Sequence, residues 1–190
     1  MAEYILELRD IVKRFPGVTA LDHVQFQLKK GEIHALMGEN GAGKSTFIKI
    51  ITGVHIPEEG QIFLNGEEVF FSNPLDAAAK SIAAIYQHST AYPHLTVAEN
   101  IFISHYEKKR VFLNWPAMYE KAEELLRALG SDIDPREEIG SLTVAEQQVV
   151  EIAKAISANA EILIMDEPTA ALSERECEQL YRITNQLKEN

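Results

Sequence analysis

The stretch GENGAGKST, residues 38–46, decides the fold of this chain. It fits the phosphate-loop pattern G-x-x-x-x-G-K-[ST] and follows the apolar segment IHALM, residues 33–37, so we predict a strand, a loop and then a helix. Gly38, Gly41 and Gly43 let the backbone curl tightly, so that successive amides converge on a phosphate at the helix N-terminus. We therefore predict that this loop binds the phosphates of a nucleotide.

The side chains that close the loop have distinct predicted roles. We expect Lys44 to lie against the β- and γ-phosphates, Ser45 to supply a hydroxyl to magnesium and Thr46 to contact the α-phosphate. The plainer alternative is a glycine turn with a solvated lysine, which the flanking strand and helix patterns disfavour. The predicted nucleotide-binding set is Gly38, Glu39, Asn40, Gly41, Ala42, Gly43, Lys44, Ser45 and Thr46.

A second pattern lies downstream, in EILIMDEP, residues 161–168. A short apolar strand that ends in Asp166 places a carboxylate at the edge of a sheet, where a P-loop protein holds magnesium or its water. Glu167 follows directly, and its carboxylate could take a proton from an attacking water. Two acids at the end of a strand often form only a polar loop, but downstream of a phosphate loop they indicate a catalytic edge.

Composition excludes several classes of protein. Of the 190 residues, 46% are hydrophobic and 25% are charged, which is typical of a globular protein. The net charge of -11 argues against a nucleic-acid binder, because a phosphate backbone is held chiefly by Lys and Arg. The start of the chain has no signal-peptide pattern, and no apolar run reaches the roughly 20 residues that cross a bilayer, so we expect a soluble chain.

Cysteine and histidine offer no further chemistry. The single cysteine, Cys177, excludes an internal disulfide and fits a reducing compartment. Its spacing to Leu180, Ile183 and Leu187 predicts one apolar face of a helix rather than a nucleophile. None of the six histidines pairs at metal-ligand spacing, so we predict no histidine metal site.

Periodicity predicts a single domain, residues 1–190, with a helical insertion. The first third reads as strands and turns, including a hairpin at Asn65-Gly66. The pattern is helical from about residue 96 to 159, so we expect an α/β core at about 1–95 and 160–190 with a helical lobe between. Within this lobe, Thr143 and Glu146 predict a capping box that opens a helix in SLTVAEQQVVEIAKAIS, residues 141–157.

With phosphate loop, helical region and Asp-Glu strand in this order, the sequence resembles the ATP-binding subunit of an ABC transporter. LTVAEQQ, residues 142–148, lies where that family has its signature motif, usually Leu-Ser-Gly-Gly-Gln. PTAALSE, residues 168–174, matches the D-loop region. The resemblance covers nearly the whole chain and implies an α/β fold: a P-loop NTPase ABC ATPase core with an antiparallel β subdomain and an inserted helical lobe.

The resemblance also implies residue roles. Gln87 lies where the family has its Q-loop glutamine, with a role in catalysis and in magnesium or water coordination, although it could simply cap a strand end. Phe15 lies where an aromatic residue stacks on adenine, although it could be an ordinary core residue. The implied catalytic residues are Glu167, Lys44 and Gln87, the implied metal ligands are Ser45, Gln87 and Asp166, and the implied cofactors are ATP and Mg²⁺.

The signature segment departs from the general family pattern. Thr143 keeps the hydroxyl of the usual serine, whereas Val144 and Ala145 replace two glycines and add β-carbons where a phosphate approaches. Glu146 replaces the usual glutamine and would repel the γ-phosphate unless its side chain folds back to the cap. Together with VEIAKAIS, residues 150–157, this variant resembles the branch of the family that imports simple sugars.

That branch implies a subunit that energises import of a monosaccharide from the cytoplasmic face of the cell membrane. The implied partners are permease subunits, a second ATP-binding domain that closes head to tail, and indirectly a sugar-binding protein. In this branch two such domains usually occur in tandem, and no histidine follows the Asp-Glu strand where the family has its switch histidine. We therefore expect the chain to be the amino-terminal part of the first domain, incomplete at its C-terminus.

Four alternatives remain open at this point. The transported solute could be a nucleoside or another small molecule, because the sequence does not identify the sugar. The chain alone could be a nucleotide-binding module without appreciable hydrolysis. A soluble ABC-type ATPase of translation or DNA repair is disfavoured by the acidic charge, and a P-loop small-molecule kinase leaves the signature helix unexplained.

Overall fold

The structure is a computed structural model that describes residues 4–86, 91–103 and 114–189. The strands are β1 (Leu6–Phe15), β2 (Val18–Leu28), β3 (Glu59–Leu64), β4 (Glu67–Val69), β5 (Ile82–Ile85) and β6 (Ile162–Met165). The helices are α1 (Lys44–Ile51), α2 (Pro74–Ala79), α3 (Val97–Phe102), α4 (Trp115–Ala128), α5 (Val144–Ser157) and α6 (Glu174–Glu189). The chain divides into two compact units. The first unit reaches Ile82 and includes the last residues from Lys188, and the second unit spans Ala83–Leu187.

The first unit is built on an antiparallel sheet, as predicted, and the order of its strands is β2-β1-β3-β4. Phe15 and Val18 pair across the first hairpin, whose turn contains Gly17 at φ 83. The predicted hairpin at Asn65-Gly66 is confirmed, because these two residues, at φ 50 and 83, join β3 to β4. Positive φ at both positions is what a two-residue type I′ turn requires, and this explains the Asn-Gly pair.

The predicted strand ahead of the phosphate loop is wrong in this structure. Residues 33–37, all of which the structure describes, form neither helix nor strand. Their large apolar side chains are exposed, Ile33 by 53%, Leu36 by 43% and Met37 by 89%. An apolar run becomes a strand only where a neighbouring strand accepts and donates its backbone hydrogen bonds, and the sheet of this unit pairs β2, β1, β3 and β4 instead.

The second unit contains the two-stranded sheet β5-β6 and most of the helices. Its apolar core joins α3, α4 and α5 through fully buried residues such as Ile101, Leu126 and Ile152. Helix α6 contributes Leu180 and Ile183 to this core, and the other two members of the predicted stripe, Cys177 and Leu187, are half-buried. The boundaries of the helical lobe within one domain remain a prediction.

Local signals explain where the helices begin and end. Thr96 and Glu99 form a capping box on α3. Helix α4 has its proline in the first turn and is followed by Gly130 at φ 70. Among the described residues, no helix is both long enough and apolar enough to cross a membrane.

Candidate nucleotide-binding site

The phosphate loop lies against the first hairpin of its own unit. A Cβ atom at Gly43, which has φ 87, would lie 2.5 Å from the carbonyl oxygen of Ala20 and 2.8 Å from a methyl carbon of Leu21. Both the left-handed backbone and this close approach to β2 exclude a side chain at residue 43. The glycine that the motif requires therefore fixes the loop to the sheet.

Lys44 holds the loop in a curled conformation. Its ammonium group donates hydrogen bonds to the carbonyl oxygens of Gly38, at 2.6 Å, and Glu39, at 2.9 Å. The amide of Ala42 also donates to the carbonyl of Glu39, at 3.1 Å. The lysine therefore spans the mouth of the loop, and its charge lies beside the carbonyl groups of Gly38 and Glu39.

Helix α1 begins at Lys44 without a side-chain cap. Gly43 is the N-cap residue, and the first intrahelical bond of the backbone runs from the amide of Phe47 to the carbonyl of Gly43. The amides of Lys44, Ser45 and Thr46 precede this bond, so the helix itself supplies them with no acceptor. Together with the positive end of the helix dipole, they suit an anion such as a phosphate group.

Phe15 lies near this loop along the sheet. It is the last residue of β1 and is half-buried, whereas Lys13, two residues earlier, pairs with Leu21. Leu21 lies next to Gly43 in the loop. Phe15 is two residues along β1 from Lys13, the partner of Leu21, which is a distance of about 7 Å along the strand. A base stacked on Phe15 and phosphates bound at residues 38–46 would therefore lie within one ligand's reach.

The second unit presents the two acidic residues at the end of β6. The amide of Asp166 donates to the carbonyl of Ile85 at 2.9 Å, which continues the pairing of β5 with β6 by one residue. Asp166 is half-buried and Glu167 is exposed. Glu167 has φ 51, a left-handed conformation that costs a non-glycine residue about 1 kcal/mol. The chain therefore turns sharply at this residue, and such strain is often found at functional sites.

The helix α5 begins with the predicted capping box, which is confirmed. The Thr143 amide donates to the Glu146 carboxylate at 2.8 Å, and the Glu146 amide donates to the Thr143 hydroxyl oxygen at 3.3 Å. The Thr143 hydroxyl also donates to this carboxylate, at 2.8 Å. The Glu146 side chain therefore folds back onto the cap. Val144 is 51% exposed and Ala145 is half-buried.

Replacing Glu146 tests whether the cap needs the charge or only the acceptor. We expect Glu146→Ala to lower the free energy of unfolding by about 1 kcal/mol, because two donors lose their acceptor. Glu146→Gln keeps a carbonyl oxygen and should be nearly neutral. Urea denaturation of both variants measures the difference, and equal losses would mean that the charge is what matters.

Sequence reasoning missed Gln148, which connects α5 to the segment after the acidic pair. Its side-chain amide donates to the carbonyl oxygen of Pro168 at 2.7 Å, and its own oxygen is buried without a partner among the described residues. The two residues are 20 positions apart, so no local pattern could have predicted the contact. A neighbouring turn bond runs from the Ala170 amide to the Glu167 carbonyl, at 3.2 Å. Gln87, predicted beside this region, lies outside the described residues.

The oxygen ligands predicted for magnesium fit that ion. Ser45 is exposed in the first turn of α1, and Asp166 directly follows β6 in the other unit. The described residues contain no group of three histidine, cysteine or acidic side chains that could hold a metal alone. Hydroxyl and carboxylate oxygens are ligands that Mg²⁺ takes, usually one or two from the protein, with phosphate and water completing its shell.

The glycine loop closed by Lys44 and the uncapped start of α1 define a P-loop nucleotide-binding protein. The chain belongs to the ABC transporter family, whose sequence model matches residues 21–170. Its fold is accordingly the α/β fold of the ATP-binding cassette with an antiparallel β subdomain, as predicted. ATP is the nucleotide that proteins of this family bind.

Two relatives show the same similarity over almost the whole chain. One relative, from Agrobacterium fabrum, is named for ATP-binding in ribose/galactose/methyl galactoside import. The two sequences are 52% identical over 189 residues, which is 99% of this chain and 37% of that protein. The chain is 51% identical to ribose import ATP-binding protein RbsA 1 of Rubrobacter xylanophilus, over 97% of this chain and 37% of that one. The chain thus spans little more than a third of the length of these relatives.

Solved structures agree with the fold. An ATP-binding cassette of an ABC transporter in its ADP conformation superposes with a TM-score of 0.85 and is 28% identical, over 98% of this chain and 77% of that one. A dimeric cassette in a post-hydrolysis state, bound to ADP and Pi, has a TM-score of 0.80 and is 25% identical, over 97% of this chain and 83% of that one.

Proposed function

We propose that this chain is an ATP-binding and ATP-hydrolysing domain that energises import of a simple sugar through an ABC transporter. The observation that carries the ATP part of this proposal is the curled loop closed by Lys44 at the open N-terminus of α1. The sugar part rests on the relatives, which are named for import of ribose and galactose, and on the signature variant TVAEQQ at residues 143–148.

In this proposal each functional residue has a definite task. The loop amides and Lys44 bind the β- and γ-phosphates, and Thr46 contacts the α-phosphate. Ser45, Asp166 and Gln87 would hold Mg²⁺, which neutralises charge on the phosphates when it is bound. Glu167 accepts the proton of the water that attacks the γ-phosphate. The exposed carboxylate at a sharp turn supports this assignment, because a base must reach the substrate from the protein surface.

The start of α5 is the segment that we assign to a second nucleotide. The Thr143 hydroxyl and the first amides of the helix, at Val144 and Ala145, form an N-terminus at which Val144 is half exposed. We propose that this N-terminus contacts the γ-phosphate held by a second ATP-binding domain in head-to-tail arrangement. The dimeric cassette among the similar structures supports such an arrangement.

The remaining partners follow from the transporter class. We propose that the helical lobe, about residues 96–159, docks on membrane permease subunits near Gln87, and that the permease receives sugar from a separate binding protein. The protein would then act as a peripheral subunit on the cytoplasmic face of the membrane and would bind no nucleic acid. A nucleoside or another small solute is the competing cargo, because sugar specificity resides in the binding protein and the permease.

Gln148 provides a test of how the catalytic segment is held. We expect Gln148→Leu to lower the turnover number for ATP about tenfold with little change in the KM for ATP, because loss of its bond to Pro168 frees the turn that carries Glu167. Gln148→Glu removes the amide donor at similar size and should behave in the same way. Steady-state kinetics of the full-length subunit measure both constants, and an increase in KM alone would assign Gln148 to binding instead.

Transport tests the proposal as a whole. The full-length subunit is reconstituted in proteoliposomes with permease subunits of a sugar importer, and ATP hydrolysis is followed with a binding protein loaded with ribose, galactose or a nucleoside. We expect a pentose or hexose to stimulate hydrolysis and to accumulate in parallel. Stimulation by nucleosides only would replace the sugar as cargo, and copurification with ribosomes or DNA instead of the permease would contradict the importer assignment.

A further inference from the structure

His55 packs against Phe15 at the tip of the first hairpin. The two ring centroids are 5.4 Å apart and the ring planes are inclined by 68°, an edge-to-face arrangement. Such aromatic pairs prefer this geometry to a face-to-face sandwich, and they resist rotation of either ring. His55 is half-buried, so the contact belongs to the packed part of the first unit. The orientation of Phe15 therefore depends on a residue 40 positions away in sequence.

The segment that carries His55 is fixed to the helix that opens at the phosphate loop. The amides of Val54 and His55 both donate to the carbonyl of Lys49 in the last turn of α1, at 2.8 and 2.9 Å. Helix α1 is only eight residues long and begins at Lys44. A short rigid element thus connects the phosphate-binding loop at one end with the ring that packs on Phe15 at the other.

Lys13 makes a second contact with the Phe15 ring. Its ammonium group lies 5.5 Å from the ring centroid and is held by the Ile56 carbonyl, at 2.8 Å, and by the Glu58 carboxylate, at 2.6 Å. This lysine and the amide of Arg14 both donate to Glu58 and lower the pKa of its carboxyl group. The Phe15 ring is therefore held between two neighbours of the same unit, the His55 ring and the Lys13 ammonium.

We propose that His55 is a positioning residue for the nucleobase: it sets the angle and the position of the Phe15 ring relative to the phosphate loop. The inference rests on the proposed function, in which Phe15 stacks on adenine and residues 38–46 bind the triphosphate. The span between base and phosphates is limited in ATP, so a stacking ring contributes affinity only if it is held at the matching distance. Through α1, His55 supplies that constraint.

Two ligands separate this role from a purely structural one. ATP carries the base, whereas inorganic tripolyphosphate carries only the phosphates, and calorimetry with magnesium measures the affinity of the protein for each. We expect His55→Ala and His55→Gln to weaken ATP binding about three- to tenfold and to leave tripolyphosphate binding unchanged. His55→Phe restores an aromatic ring at this position and should return ATP affinity to within about twofold of the original.

Phe15→Ala and the double variant Phe15→Ala/His55→Ala complete the experiment. If His55 acts through Phe15, the double variant binds ATP no more weakly than Phe15→Ala alone. His94→Ala, at an exposed histidine of the other unit, is the matched control and should change neither affinity. Melting curves of all variants identify any that fail to fold, and His55→Phe still tests the ring requirement if the alanine variant is lost.

Three other outcomes would contradict the role of His55. Equal losses for ATP and tripolyphosphate in the His55 variants would show that His55 supports the loop rather than the base, and would overturn the inference. Unchanged ATP affinity in these variants, with a selective loss in Phe15→Ala, would also overturn it while the base site stands. If Phe15→Ala itself leaves ATP affinity unchanged, the adenine site of the proposed function is wrong and the inference fails with it.

Discussion

Replacing Glu167 with Gln in the full-length subunit is expected to lower the rate of ATP hydrolysis by about 10²- to 10⁴-fold while ATP still binds. The amide of Gln has nearly the same shape as the carboxylate, but it cannot take a proton from water. Glu167 is exposed and lies two residues after the end of β6, where its backbone is left-handed with φ 51. Phosphate release and nucleotide binding, measured on the same preparation, give both results.

Glu161→Gln is the matched control, since Glu161 is an exposed glutamate immediately before the same strand. It should keep both binding and turnover. Unchanged hydrolysis in Glu167→Gln would remove Glu167 as the base. A loss of ATP binding together with hydrolysis would instead mean that the carboxylate supports the nucleotide-bound state.

Gly43→Ala should lower the free energy of unfolding by about 2–4 kcal/mol. The new methyl group would meet the Ala20 carbonyl oxygen at 2.5 Å and Leu21 at 2.8 Å, and the residue would keep an unfavourable φ of 87. The backbone of β2 would have to move, because the nearer neighbour is a backbone carbonyl oxygen. The same movement should displace the loop and weaken ATP binding.

Gly41→Ala separates backbone strain from this close contact. Gly41 has φ 86, almost the same as Gly43, but in the described part of the chain a Cβ there would meet no atom within 4 Å. Gly41→Ala should therefore lower the free energy of unfolding by about 1 kcal/mol, from backbone strain alone. Urea denaturation followed by far-ultraviolet circular dichroism measures both variants. Equal losses would contradict the packing of the loop against β2.

Local signals predicted much of this fold because their physics is local. The Asn65-Gly66 turn needs two positive φ angles, and the capping box of Thr143 and Glu146 needs only donors and acceptors three residues apart. The curl of the phosphate loop is predictable for the same reason, since Lys44 donates to backbone carbonyls within six residues. In each case the residues that make the structure are adjacent in sequence.

The features that sequence reasoning missed depend on partners that are distant in the chain. The apolar run at residues 33–37 predicted a strand, but a strand also needs pairing neighbours that the run itself does not specify. The contact of Gln148 with Pro168 spans 20 residues, and the contact of His55 with Phe15 joins a helix exit to a hairpin tip. Only packing brings these pairs together, so periodicity and motif spacing carried no sign of them.

The most direct test of the account is a calorimetric titration of the protein with ATP and magnesium, repeated for Lys44→Ala. We expect one ATP per chain, with affinity lowered at least about tenfold in the variant because a charged donor to the phosphates is lost. Lys49→Ala, at an exposed lysine in the last turn of the same helix, should bind as the original protein does. A folded protein that binds no ATP, or that binds it equally well without the Lys44 side chain, would contradict the assignment of residues 38–46 as the phosphate site.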